Sequence, residues 1–185
     1  ANSNARLLGD EPFQFFEKFP SIQVAVDADR KNGIEQLLSL PEKPEVILLD
    51  DAFQHRKVKA GFYILLTSYG DLYSDDCMLP TGNLRETRSG AKRSDLTVVT
   101  KCPFDLSLDK QNDIRKRLKL SVNQQLYFTF IAYDTFVYGE KQKVNINEIQ
   151  STVKVLVAGI AKPEPFFTYL KNTNDVCLSF PDHHN

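Results

Sequence analysis

At 185 residues the chain is long enough for one ordinary domain, or one domain with a small appendage. Its 23 basic and 24 acidic residues give a net charge of −1 and lie interspersed, so no basic stripe supports nucleic-acid binding, while 42% hydrophobic residues with 13 Phe and 7 Tyr exclude general disorder. No run approaches the roughly 18 apolar residues of a membrane span, no signal peptide opens the chain, and three cysteines without metal-ligand spacing point to a reducing cytosolic compartment.

In chain order, Gly9-Asp10-Glu11-Pro12 predicts a helix start, with acidic residues and Pro in the first turn and Phe13, Phe16 and Phe19 on one face. A short strand is expected over residues 22–26, then a helix with Ile34, Leu37 and Leu38 at helical spacing, ended by Pro41 and Pro44. The apolar run 46–49 stops at Asp50-Asp51 and reads as a buried parallel strand. Residues 62–67 and 96–100 predict two more buried strands, separated by a turn-rich stretch from 68 to 94, and residues 108–120 predict an amphipathic helix with a solvated basic face. Aromatic and β-branched residues over 127–133 and 135–138 read as an extended strand or hairpin. Residues 153–157, Gly159 and a helix opened by Pro163 then form a strand, turn and helix. The alternation predicts an α/β fold with a mostly parallel sheet. The expected divisions are 1–125 as a first domain, 126–150 as an extended aromatic linker, and 151–185 as the start of a smaller second α/β domain. A first residue that is Ala, and a close at His183-His184-Asn185, suggest an excised segment of a longer protein.

The chemistry concentrates in two short motifs. Asp50-Asp51-Ala52-Phe53-Gln54-His55-Arg56 would stand at the carboxyl end of a parallel strand, where ligands bind in open α/β sheets. Carboxylates there can hold Mg²⁺, which neutralises charge on a transferring phosphate; a strand ending in a solvated acidic turn is the plainer alternative. Leu79-Pro80-Thr81-Gly82-Asn83-Leu84-Arg85-Glu86 offers an arginine able to clamp a phosphate and a glutamate able to supply a metal oxygen, or else a surface turn with an ion pair. Arg88, Lys92 and Arg93 follow as a local basic cluster. Lys101 follows a strand in the placement of a base-reading Thr-Lys pair, although a polar strand exit serves equally. His183 and His184 are proton-shuttle candidates or solvated tail residues. None of the eight glycines is followed by Lys, so the phosphate-cradling Gly-x-x-x-x-Gly-Lys-Ser/Thr motif is not in this chain.

These pieces, with Leu8-Gly9-Asp10-Glu11-Pro12 before them and Ala91-Lys92-Arg93-Ser94-Asp95, Ala158-Gly159-Ile160-Ala161-Lys162-Pro163 and Asp182-His183-His184 after, resemble in order the tetraacyldisaccharide 4'-kinases, the lipid A 4'-kinases of Gram-negative bacteria. Ala52-Phe53 after the acidic pair looks like the Bacteroidetes branch. The resemblance implies a P-loop NTPase-like kinase that moves the γ-phosphate of ATP, with Mg²⁺, to the 4'-hydroxyl of a tetraacylated glucosamine disaccharide 1-phosphate. By motif position Asp50 is the Walker B type magnesium residue, and Asp51 and Glu86 contribute to the metal and phosphate site. Gln54, His55 and Arg85 are phosphate or substrate contacts; Lys101, from its placement after a strand, is the nucleotide-base candidate. Asp10 matches the catalytic base and His183 the histidine paired with it from the second domain. Family members begin with a membrane-associating helix and the P-loop, so the parent is expected on the cytoplasmic face of the inner membrane, with this segment soluble and inactive alone. The alternatives are a nucleotide-binding regulatory NTPase module, a metal-dependent phosphohydrolase, or an α/β fragment without activity of its own.

Overall fold

The computed structural model describes residues 9–139 and 142–180, which form two compact units divided after Phe130. The first opens with α1 (Asp10–Lys18), capped by Gly9 at φ 86°, a left-handed backbone that glycine adopts without a Cβ clash. Helix α2 (Arg30–Leu38) is capped by Asp29, whose side chain accepts from the Lys31 amide at 3.0 Å. Three strands follow: β1 (Ile64–Ser68), β2 (Leu96–Thr100) and β3 (Gln125–Phe128), parallel and in the order β1-β2-β3. Helix α3 (Leu108–Leu118) connects β2 to β3, starting at a Ser107 cap and ending at Lys119 in the left-handed region.

Register explains where the core sits. Leu65, Thr97 and Leu126 stand side by side, as do Thr67, Val99 and Phe128, because each pair of neighbouring strands aligns these positions. With a side-chain period of two, they share one sheet face. Against Val99 pack Ile114 and Leu118 of α3, together with Leu72 and Cys102, and Tyr69, Tyr73 and Leu106 close the rim. The Tyr73 hydroxyl donates to the Leu118 carbonyl at 3.1 Å, tying the end of α3 to the loop after β1. The opposite face, with Ile64, Leu66 and Tyr127, is open to solvent.

Two expected strands do not form. Residues 22–26 and 46–49 are without strand pairing, and Val46 and Leu48 are 73% and 89% exposed. An apolar run supplies the propensity for a strand, but only a paired neighbouring backbone makes one, and neither run is paired among the described residues. The aromatic stretch also divides. Residues 125–128 complete the first unit's sheet, and residues 136–138 become part of a hairpin in the second unit.

The second unit, described over 131–180, holds that hairpin, β4 (Phe136–Tyr138) with β5 (Lys143–Asn145), and the short helix α4 (Ile146–Ser151). A parallel pair follows, β6 (Val155–Ala158) with β7 (Val176–Ser179), connected through α5 (Glu164–Leu170). Leu156, Ala158, Pro163 and Leu170 are buried there among the described residues. Tyr133 and Tyr169 stack with centroids 3.9 Å apart. At the start of the parallel pair the Asp175 carboxylate, shielded from solvent, accepts from Lys154 Nζ at 2.6 Å, the Lys154 amide at 3.0 Å and the Asn172 amide at 2.7 Å. The Lys154 ammonium above all, and then the amides, hold this carboxyl below the usual range against the opposing effect of burial.

Two stability tests follow from these contacts. Ile114→Ala empties a site 3% exposed and is expected to cost about 2–5 kcal/mol, read by chemical denaturation. A carboxyl with a lowered folded pKa stabilises fully above its unfolded pKa and loses that contribution as pH falls through the folded value. Asp175→Asn is therefore expected to lower the amide hydrogen-exchange protection of β6 and β7 at neutral pH, and the loss of protection that the wild type shows as pH falls through the lowered folded pKa is expected to flatten in the variant.

Candidate functional site

The acidic pair sits in a turn rather than at the tip of a formed strand, and its geometry is local. Asp50 Oδ1 accepts from the Asp51 amide at 3.0 Å, and Asp51 holds φ 42°, a left-handed conformation uncommon outside glycine and most tolerated by Asp and Asn. Both carboxylates face solvent. Arg30, at the start of α2, donates to the Asp51 carbonyl at 3.4 Å, so the first turn of a helix props the loop from one side.

The second motif is shaped by Asp76. Its carboxylate accepts from the Cys77 amide at 2.7 Å and the Asn83 amide at 3.1 Å, while its carbonyl accepts two bonds from the Arg88 guanidinium. Across the turn the Leu79 amide donates to the Leu84 carbonyl at 3.1 Å and the Leu84 amide to the Cys77 carbonyl at 3.0 Å, and the Leu79–Pro80 peptide is cis. Gly82 fits because a Cβ there would overlap the Cys77 backbone. This turn presents Arg85 outward, with Nη1 at 3.5 Å from Asp51 Oδ2. The structure thus brings Asp50, Asp51 and Arg85 to one place.

Glu86 points the other way, into an ion pair. Arg93 meets it in bidentate fashion, Nη2 to Oε1 at 2.8 Å and Nη1 to Oε2 at 3.0 Å, and Arg56 Nη2 adds a third bond to Oε2 at 3.1 Å. The Arg93 hydrogen bonds, with smaller help from Arg56 and against the opposing effect of burial, hold the Glu86 carboxyl below its usual pKa; Glu86 in turn raises that of Arg93. Arg93 also donates to the Phe53 carbonyl at 3.0 Å and lies over the Phe53 ring, 4.8 Å from its centroid. Phe53 meets Tyr63 edge-on, and the Tyr63 amide donates to Asp95 at the foot of β2. Gln124 fixes the other side of Arg93, its Nε2 reaching the Ala91 and Ser94 carbonyls and the Ser94 hydroxyl at 2.7–2.8 Å.

His55 lies beside this pair, in a cleft of about 360 Å³ lined also by Phe53, Arg56, Val58, Lys59, Tyr63 and Arg93. Its Nε2 is buried without a hydrogen-bond partner among the described residues. Gln54 is exposed on the same loop. Lys101 follows β2 at φ 57°, at the carboxyl end of the sheet, and Asp10 begins α1; neither is tied to the acidic pair by a hydrogen bond or ion pair. His183 lies outside the described residues.

As a metal centre the donors are unequal. Asp50 and Asp51 keep open carboxylate oxygens and suit a magnesium ion that completes its shell with water and substrate phosphates. Glu86 has both oxygens engaged by guanidinium groups, and no cluster of three metal-binding side chains exists among the described residues. The site in this form therefore offers two carboxylates, not three. Arg56 and Arg93 lie within the motifs at 50–56 and 91–95, but nothing in the sequence pairs them with Glu86, and Gly90, which completes the Glu86 seat, stands in no motif.

No helix among the described residues is long and apolar enough to cross a membrane. The sequence profile described as tetraacyldisaccharide-1-P 4'-kinase matches residues 1–185. The tetraacyldisaccharide 4'-kinase of Flavobacterium johnsoniae is 68% identical over 184 residues, covering 100% of this chain and 54% of that protein. That of Flavobacterium psychrophilum is 63% identical, covering 99% and 54%. The Bacteroides thetaiotaomicron protein of the same name is 48% identical, covering 99% and 52%. The chain spans about half the length of these curated relatives. No solved structure matches it at a significant level. A match of that extent and identity makes this chain a member of the tetraacyldisaccharide-1-P 4'-kinase family.

Proposed function

We propose that a protein of the relatives' full length containing this chain transfers the γ-phosphate of ATP to the 4'-hydroxyl of a tetraacylated disaccharide 1-phosphate, a step of lipid A biosynthesis. The pairing of Asp51 with Arg85 at 3.5 Å carries the reading. It sets an acidic pair suited to magnesium beside a guanidinium suited to phosphate, the two charges a phosphorylated substrate and its metal require. The names of the relatives support the same substrate.

In this reading Asp50 and Asp51 hold Mg²⁺, and the ion neutralises charge on the phosphates when bound. Arg85 contacts the transferring phosphate, and Gln54 and His55 supply further polar contacts from the same loop. Asp10 accepts the proton of the 4'-hydroxyl as its oxygen bonds to the γ-phosphorus and the bond to ADP breaks, and His183 is a second proton-handling residue. Lys101 is assigned to the nucleotide base. Glu86 belongs to the same assembly, its carboxylate held by Arg93. A P-loop NTPase-like first domain at 1–125, a linker at 126–150 and a second domain from 151 complete the arrangement. The full-length protein is assigned to the cytoplasmic face of the inner membrane, with its lipid substrate as partner and no nucleic acid.

The test is transfer of labelled phosphate from ATP to a tetraacyl disaccharide 1-phosphate by the full-length protein. Transfer at the 4'-position is expected, falling by about 10²–10⁴-fold in Asp10→Ala through loss of the base and collapsing in Asp50→Ala. Nucleotide hydrolysis without transfer would favour a regulatory NTPase. Phosphate release from simple monoesters without nucleotide would favour a phosphohydrolase. The 185-residue chain alone is expected to hydrolyse no ATP above background.

A further inference from the structure

We propose that Arg93 is a positioning residue: its guanidinium clamps the Glu86 carboxylate to the Phe53 carbonyl and so fixes the Arg85 turn against the Asp50–Asp51 loop. The geometry comes from the structure, while its consequence for phosphate transfer rests on the kinase reading.

The Asp51–Arg85 contact is made by side chains that are 79% and 70% exposed, and a pair so solvated and screened cannot hold two loops in register. The Arg93–Glu86 pair is sheltered, its side chains 28% and 20% exposed. One guanidinium spans both loops, with two bonds to Glu86 and a third to Phe53, which is two residues from Asp51. The planar fork of arginine makes this possible; a lysine ammonium offers charge without the fork. Arg56 reinforces Glu86 but is 69% exposed and reaches only one oxygen. Arg93 itself is anchored through the neighbouring Ser94, whose hydroxyl and carbonyl accept from Gln124. Gly90 completes the seat: a Cβ there would stand 2.5 Å from the Glu86 carboxyl carbon and 3.0 Å from Arg93 Nη1. Adding a methyl group at Gly90 displaces the glutamate while leaving the arginine's charge in place.

The experiment uses the full-length protein in a background whose exposed cysteines are replaced by Ser, with nitroxide labels at Lys57 and Asn83, both exposed and one on each loop. The distance distribution between the labels is compared for the wild type, Arg93→Gln, Arg93→Lys and Gly90→Ala, beside the thermal midpoint, kcat and both KM values of the unlabelled forms. A narrow wild-type distribution is expected, broadened in Arg93→Gln and Gly90→Ala and partly restored in Arg93→Lys. In folded variants kcat should fall about 10–100-fold, the range for residues that orient a functional group from behind it, with the lipid KM little changed. An unchanged distribution in Arg93→Gln would overturn the proposal. So would a loss of activity that tracks the thermal midpoint with no rescue by lysine. A broadened distribution in a protein whose wild type transfers no phosphate would uphold the clamp and reject the kinase reading.

Discussion

The bidentate pair between Glu86 and Arg93 is the joint on which the first unit's site depends. Its strength is geometric as much as electrostatic: two parallel N–H···O bonds fix direction as well as distance, and partial burial protects them from solvent competition. From this joint the structure runs inward to the sheet and outward to the acidic loop and the Arg85 turn. Inward, Gln124 binds the turn that carries Arg93 to the approach to β3, and Asp95 fastens Tyr63 ahead of β1. Outward, Phe53 and Glu86 are the near ends of the two loops that place Asp51 and Arg85. Rigid secondary structure is thereby connected to irregular chain by side chains, not by backbone pairing.

The second unit uses a related device on a smaller scale. Lys154 and Asp175 meet at the beginning of β6 and β7, where a parallel pair has no hairpin turn to align it. A carboxylate that also accepts two amides ties the starts of the two strands together there. Few apolar side chains are fully buried in this unit, so this polar staple carries more of the local order than it would in a larger core.

Much of the secondary structure was readable from sequence because its signals are local. The Gly9–Pro12 start, the apolar runs of β1 and β2, the periodicity of α3 and the strand, glycine and helix around Gly159 each reflect a cap, a period or a breaker within a few residues. Residues 22–26 and 46–49 carried the same apolar signal and did not pair, because pairing depends on a distant neighbour that no local pattern reports. The site divides along the same line. Adjacency put Asp50 with Asp51 and Arg85 with Glu86, but the sense in which each pair faces was hidden: Arg85 turns to Asp51 and Glu86 turns away to Arg93. The closeness of Gly90 to Glu86, four residues before it, depends on the path of the turn between them, which no motif reports. Nothing about a glycine among basic residues announces that its missing side chain makes room for a carboxylate.

The left-handed backbone at Asp51 separates shape from charge at this position. At φ 42° the residues that enter most easily are glycine, asparagine and aspartate, and of these asparagine reproduces aspartate's outline without its charge. A neutral, near-isosteric loop is thus accessible by exchange of one oxygen for an amide nitrogen, whereas a β-branched residue would alter the chain path and the charge together. The backbone narrows the alphabet first, and electrostatics chooses among the few letters that remain.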